Sequence, residues 1–263
     1  MSDPVQLVSH GSITEVAICR PEAFNAFDME LLVQLAARLT DLAATPAVRG
    51  LVLTGRGKAF CAGGDLKYVT GHAKGAAAAF HALAGQFHQA VLEIRRMPKP
   101  VVAAIHGVAA GGGFSLALAC DFRVMETGAV LRQAYTSAGL SIDGGGTFAL
   151  PRLVGLAKAL EIAAFDEPIP AEKALQWGLV TRVVPDGESL SAAVELAERV
   201  GDRSLNAFSL AKRLLTDSFD TPFEKRLEQE RRLLSDAADH PHGHEGLKAF
   251  VEKRKPDFVS TSK

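Results

Sequence analysis

The stretch "VVAAIHGVAAGGGFSLALAC", residues 101–120, limits what this chain can become more than any other part of it. It is as long as a membrane span, and His106 and Ser115 are its only polar side chains. Four glycines interrupt its middle, however, and Ala and Gly dominate its composition. A β-branched run (Val101, Val102, Ile105), a glycine cluster and then "FSLALAC" read as buried strand, glycine turn and buried helix rather than a span. A strand and a helix that are both apolar on every side belong inside a layered core.

The flanking sequence repeats the same grammar. "VQLVSH" (5–10) and "ITEVAIC" (13–19) read as strands joined by a hairpin at Gly11-Ser12. Asp28 then caps a helix with Leu31, Leu35, Leu39 and Leu42 on one face. "GLVLTG" (50–55) is a buried strand, and the Ala-rich region 73–97 is a helix ended by "MPKP". The 101–105 strand, a helix over 113–120 and a strand near 121–125 follow. Strand–helix alternation with short connections is the α/β signature. Beyond residue 146 the chain reads as helix, apart from a short strand in "LVTRVV" (179–184). We expect a core over 1–200 and a helical C-terminal region over 201–263, whose stripe Phe223, Leu227 and Leu234 suits packing on another subunit.

Several function classes are disfavoured at once. The formal net charge is −1 and no basic tract stands out, which argues against nucleic acid and polybasic membrane surfaces. Cys19, Cys61 and Cys120 are odd in number and far apart, which suits a reducing compartment and neither a disulfide framework nor a zinc site. No secretory pattern opens the chain, so the cytoplasm is the default expectation. "HPHGH" (240–244) reads as a polar loop between tail helices rather than a metal site.

The glycine clusters carry the chemistry. "GRGKAF" lacks the spacing and the Ser/Thr of a P-loop, and "AAGGGFS" does not match GxGxxG. Glycines at a helix start do leave unpaired N–H donors and the positive end of a helix dipole facing one point. Gly63-Gly64 and Gly111-Gly112-Gly113 each lie after a strand and before a helix. Two such ends brought together would make an oxyanion hole, provided the loops are neighbours in space.

"RPEAFNAF" (20–27), "GKAFCAGGDL" (57–66), "KPVVAAIHGVAAGGGFSLALACDFRV" (99–124), "LPRLVGLAKALEIA" (150–163) and "AEKALQWGLVTRVVP" (171–185) together resemble the enoyl-CoA hydratase/isomerase, or crotonase, superfamily. The resemblance runs in order over almost the whole chain. It implies an α/β spiral of ββα units with a helical C-terminal oligomerisation region, as homotrimers or homohexamers. It also implies an acyl-CoA thioester substrate, with no cofactor beyond the coenzyme A that the substrate carries. The N–H groups of Gly64 and Gly112 would form the oxyanion hole. Ala62, Asp65 and Lys67 would stand near the coenzyme A, with Asp65 read foremost as a helix cap and Lys67 as a phosphate partner or a solvated surface lysine.

Hydratases of this family carry two glutamates. Against their motifs this chain has Ser115 and Tyr135, neither a useful base near neutral pH. Hydration needs an activated water and a proton delivered to carbon, so an ordinary hydratase is disfavoured. Asp143, in "GLSIDGGGTFALPRLVG", stands where the resemblance places the carboxylate of dienoyl-CoA and 1,2-epoxyphenylacetyl-CoA isomerases. Chlorobenzoyl-CoA dehalogenases carry an Asp there too, but pair it with a Trp where this chain has Tyr135. One carboxylate above two carbons can move a double bond by taking a proton from one and returning it to the other. Asp143 is thus the expected proton shuttle of an acyl-CoA isomerase; its competing role is a turn cap before Gly144. Ser115 and Tyr135 are also expected to bind the substrate, Tyr135 by lining the acyl pocket or by a hydrogen bond to Asp143. Acyl-CoA hydrolysis, weak hydratase activity and non-catalytic acyl-CoA binding are the alternatives.

Overall fold

The computed structural model describes residues 3–262. Strands β1 (Val5–His10) and β2 (Ile13–Ile18) form the expected hairpin, with His10 opposite Ile13. Helix α1 (Met29–Ala44) leads to β3 (Gly50–Gly55), then to the short α2 (Leu66–Thr70) and the long α3 (Gly75–Arg96). Strands β4 (Val101–Ile105) and β5 (Val108–Ala110), helix α4 (Gly112–Ala119), β6 (Phe122–Glu126) and β7 (Val130–Arg132) complete the middle of the chain. The remainder is α5 (Gly146–Val154), α6 (Leu156–Phe165), β8 (Ile169–Pro170), α7 (Ala171–Gln176), β9 (Arg182–Val184), α8 (Ser189–Gly201), α9 (Leu205–Thr216), α10 (Phe223–Asp239) and α11 (Pro241–Val251).

Six strands form one sheet in the order β1-β2-β3-β4-β6-β9, parallel except for the β1–β2 hairpin. Alternation along the strands builds a core on both faces. Val52, Val102, Ala104 and Val124 turn to one side, where Ala193 and Ala197 of α8 cover them. Leu51, Leu53, Val101, Ala103 and Ile105 turn to the other, against the buried faces of α1 and α3. Leu31, Leu35, Leu39 and Leu42 are all buried there, as their spacing predicts.

Two elements differ from the sequence reading. The turn expected after Ile105 contains β5, which joins β7 and β8 in a second, three-stranded sheet. Three-residue strands are too short to show a period of two, so nothing in the pattern distinguishes them from loop. "HPHGH" is the start of α11 rather than a loop: the His240 ring accepts the His242 N–H and Pro241 takes the first turn. His242 packs inward against Phe258 and hydrogen-bonds Ser204. Lys212 on α9 pins the C-terminal helices to the core, meeting Asp121 at 2.9 Å and the Ile94 carbonyl at 2.8 Å. Phe223, Leu227 and Leu234 stay exposed on α10. No helix among the described residues is long and apolar enough to cross a membrane.

Candidate active site

The second sheet is what brings the two glycine loops together. Residues 60–63 run alongside β5: the Phe60 N–H reaches His106 O at 3.0 Å, Cys61 N–H reaches Val108 O at 3.1 Å, and Ala110 N–H reaches Cys61 O at 2.9 Å. That pairing sets Gly63 against Gly111 and Gly112, so closely that a Cβ on Gly63 would fall 2.9 Å from the Gly112 nitrogen. A Cβ on Gly113 would fall 2.1 Å from Cys61 O, which leaves no room for any side chain. Gly63 and Gly111 also have φ of 95° and 53°, a backbone that glycine adopts without strain. Gly64 and Gly112 thus lie at two adjacent helix starts, and neither N–H finds an acceptor among the described residues. Phe27 closes the arrangement, pairing its backbone with Gly64 and laying its ring against Gly112.

Gly64 and Gly112 both border a cavity of about 310 Å³. Its walls are mainly Phe27, Leu32, Phe80, Leu83, Phe87 and Leu140, an apolar chamber suited to an acyl chain or a ring. Tyr135, Ser141 and Asp143 supply its polar groups, with His81 on the α3 wall, and Asp143 is the one carboxylate among the lining residues.

The Asp143 side chain answers the capping question directly. Helix α5 begins at Gly146 with Gly145 before it, and no side chain caps it. The backbone carbonyl of Asp143, not its carboxylate, accepts the Gly146 N–H. The carboxylate instead receives a short hydrogen bond from the Tyr135 hydroxyl. Ser115, buried on α4, stands 3.4 Å behind that hydroxyl and does not border the cavity. The two positions that differ from the hydratase pattern therefore join Asp143 in one chain, Ser115–Tyr135–Asp143. Burial, then the Asp143 charge, push the Tyr135 phenol far above its ordinary range, so it stays a neutral donor. On the next turn of the loop, Gly144 N–H meets the His88 ring at 3.4 Å. Gly144 has φ of 61°, and a Cβ there would fall 2.2 Å from Phe87.

The sequence reading did not include the device that aims Tyr135. Ala134 has φ of 52°, a strained value for a residue with a Cβ. The Asp166 carboxylate, buried at the end of α6, accepts the Ala134 N–H at 2.7 Å and the Ser137 N–H at 3.3 Å. Gln133, fully buried, accepts the Tyr135 N–H at 3.2 Å. Asp166 lies 32 residues downstream of Ala134, so no local spacing announces the contact.

Of the remaining expected site residues, Asp65 is occupied by the fold. It accepts the Lys67 and Tyr68 N–H groups as the cap of α2 and pairs with Arg20 at 3.1 Å. Arg20 also meets Asp28, the cap of α1, at 3.1 Å. One guanidinium thereby ties together the starts of both helices beside the cavity, and the Asp65 carboxylate is a structural group. Ala62 is half-buried and donates its N–H to Phe24 O, and Lys67 is exposed on the first turn of α2. Cys61 is inert: burial pushes its thiol up to about 12. No cluster of metal-ligating side chains occurs among the described residues.

The profile of the enoyl-CoA hydratase/isomerase family matches residues 9–261. The chain belongs to this family. The 1,2-epoxyphenylacetyl-CoA isomerase of Escherichia coli K12 is 34% identical to it over 96% of each chain. A probable enoyl-CoA hydratase of Rhodobacter capsulatus is 35% identical, also over 96% of each. The crystal structure of an enoyl-CoA hydratase from Polaromonas sp. JS666 superimposes with a TM-score of 0.92 at 35% identity, covering 96% of this chain and 98% of that one. The crotonase fold and acyl-CoA hydratase/isomerase chemistry are thus established for the chain at family level.

Proposed function

We propose that the protein is an acyl-CoA isomerase that moves a double bond, or rearranges a ring, through a thioester enolate. The observation that carries this reading is the single cavity carboxylate, Asp143, free of any capping role and facing the same chamber as the Gly64 and Gly112 N–H groups. In a 3-enoyl thioester the Asp143 carboxylate takes a proton from C2. The C–H electron pair moves into the carbonyl, and the oxygen becomes the dienolate oxygen held by the two N–H donors. The same carboxyl returns its proton to C4, leaving the double bond between C2 and C3. Tyr135 binds one carboxylate oxygen, which leaves the other to carry the proton. The apolar walls keep water away from the dienolate.

Hydration is the second reading, favoured by the hydratase names of several relatives. It would require Asp143 both to activate water and to deliver a proton, since positions 115 and 135 hold no carboxylate. The exposed apolar faces of α10 and α11 support assembly into trimers or hexamers, which light scattering in solution tests.

The deciding experiment follows deuterium at C2 and C4 of a 3-enoyl-CoA in deuterated water, with Asp143→Asn beside the wild type. Double-bond migration lost in the variant is the expected result, and label at C4 measures how often the carboxyl exchanges its proton before returning it. Exchange that persists in Asp143→Asn, or addition of water without migration, overturns the isomerase reading.

A further inference from the structure

A second cavity, of about 470 Å³, lies behind the Asp143 loop and is bordered by Gly144 and Gly145. Phe87, which borders the acyl chamber, and Gly144, which borders this cavity, are in contact, so the two spaces adjoin. Val91, Leu118, Leu153 and Phe148 give it apolar walls. Its charged groups are unbalanced: Arg95, Arg123, Arg152 and Lys212 border it against one carboxylate, Asp121.

Three of these five charges are already satisfied. Asp121 binds Lys212 at 2.9 Å and the Val101 N–H at 2.9 Å. Arg123 is buried and donates to the Leu179 and Cys120 carbonyls. Arg152 donates to Phe148 O at 2.9 Å, and its ion pair with the exposed Asp220 is loose, at 3.7 Å. Arg95 has no hydrogen bond or ion pair among the described residues; its contact is the Phe148 ring, 4.4 Å from its guanidinium carbon. Arg152 stacks on the same ring at 3.4 Å. One phenyl ring therefore contacts both guanidiniums, and the carboxylate that faces both is the exposed Asp220. Cation–π attraction keeps each in place, but the two cations repel. Burial lowers the Arg95 pKa, and Arg152 adds to that, against the opposing pull of Asp217 and Asp220.

We infer that this cavity binds a carboxylate carried on an apolar body, with the anion between Arg95 and Arg152 and the hydrocarbon against Val91, Leu118 and Leu153. Two guanidiniums supply forked donors that match a carboxylate, and the apolar lining selects against small hydrated anions. The ligand has two possible sources: a free short-chain or aryl acid, or the distal carboxylate of a dicarboxylic acyl thioester. Binding to this site does not depend on the isomerase reading.

Calorimetric titration of the full-length protein tests it with three probes: hexanoate, 1-hexanol, which has the body without the charge, and inorganic phosphate, which has the charge without the body. Hexanoate binds at least about ten-fold more tightly than either, and Arg95→Met weakens it by at least about ten-fold, the usual loss for a charge-assisted contact. Arg95→Met removes no hydrogen bond, so the variant is expected to fold. Arg95→Lys, which keeps the charge, restores part of the affinity. Asp143→Asn leaves hexanoate binding as it was. Adding adipyl-CoA and hexanoyl-CoA separates the sources. A preference for adipyl-CoA that Arg95→Met removes marks the ligand as part of the substrate. Hexanoate binding that depends on Arg95 without that preference marks a free acid. Hexanoate that ignores Arg95→Met, or that binds more tightly to Asp143→Asn, is sitting in the acyl chamber and overturns the inference. So does equal binding of hexanol.

Discussion

Substitution of Asp166 tests whether Tyr135 is held in place by strain balanced against hydrogen bonds. Asp166 itself has φ of 49°, and it holds Ala134, at φ of 52°, through its carboxylate. Asp166→Ala deletes a 2.7 Å bond to Ala134 N–H and a weaker 3.3 Å bond to Ser137 N–H. A hydrogen bond to a charged group is worth about 1.5–3 kcal/mol, and the second, longer one less. Ala is also less at ease than Asp in the left-handed region, which adds a few tenths to about 1 kcal/mol. The total is roughly 3 kcal/mol. Asp166→Gly loses the same bonds but relieves the backbone, for roughly 2 kcal/mol. Asp166→Asn keeps an acceptor and a side chain that tolerates the left-handed region, and costs roughly 1 kcal/mol.

Guanidinium unfolding at one fixed protein concentration should therefore rank the proteins wild type, Asn, Gly, Ala. Release of Ala134 also frees Tyr135, so kcat falls in the same order while KM for the thioester changes less. Burial raises the Asp166 pKa, but hydrogen bonds from Ser137 and Ala134 and the charge of Arg132 outweigh it, and the net shift is downward. A carboxyl with a depressed folded-state pKa adds stability above its unfolded value, near pH 4, and loses it as the pH falls through the folded value. The gap between wild type and Asp166→Asn should shrink accordingly below about pH 4. An Asp166→Gly protein more stable than wild type would refute the reasoning, because the bonds would then be worth less than the strain they sustain.

Three further outcomes follow from the same geometry. Tyr135→Phe removes the donor that holds Asp143, and kcat should fall by about ten- to a hundred-fold with KM nearly constant, read from steady-state kinetics. Gly113→Ala drives a Cβ to within 2.1 Å of Cys61 O, so thermal unfolding should show a loss of roughly 3 kcal/mol or an insoluble protein. Lys99 is buried where its ammonium caps the Leu42 and Thr45 carbonyls, each at 2.6 Å, and burial pushes its pKa from 10.5 down to about 8. Between those values the unfolded chain binds the extra proton, so this group's contribution to stability should rise with pH across that window, by about 3 kcal/mol in all, and the rise should vanish in Lys99→Met.

The parts of the fold legible in the sequence were those with a long or distinctive period. The α1 leucines, the buried β3 and β4 runs and the 101–120 unit each carry enough residues for burial to leave a pattern. Strands β5, β7 and β8 have three residues or fewer, and their pairing is set by partners far along the chain. Yet it is β5 that brings the Cys61–Gly64 segment beside Gly111–Gly113. The glycines were visible as candidates, while the element that makes them one site was not. The α11 start was missed for a related reason: His, Pro and Gly are loop formers by composition, and only a fixed His240 ring turns them into a helix entry.

Asp143 shows where sequence reading stops and why. An Asp three residues before a helix start that is rich in glycine is chemically equipped for a turn or for proton transfer, and no spacing separates the two. The separation comes from which oxygen does the work. Here the backbone carbonyl closes the turn, with Gly144 and Gly145 supplying conformational freedom, so the carboxylate is released from structural duty. Its actual partner, Tyr135, lies across the cavity wall on a segment that Asp166 and Gln133 hold in an unfavourable backbone conformation. A strained backbone that serves only to aim a phenol at a carboxylate has no benefit to stability. The strain at Ala134 is therefore the energetic cost of holding the Tyr135 hydroxyl on the Asp143 carboxylate, in the cavity that Gly64 and Gly112 also border.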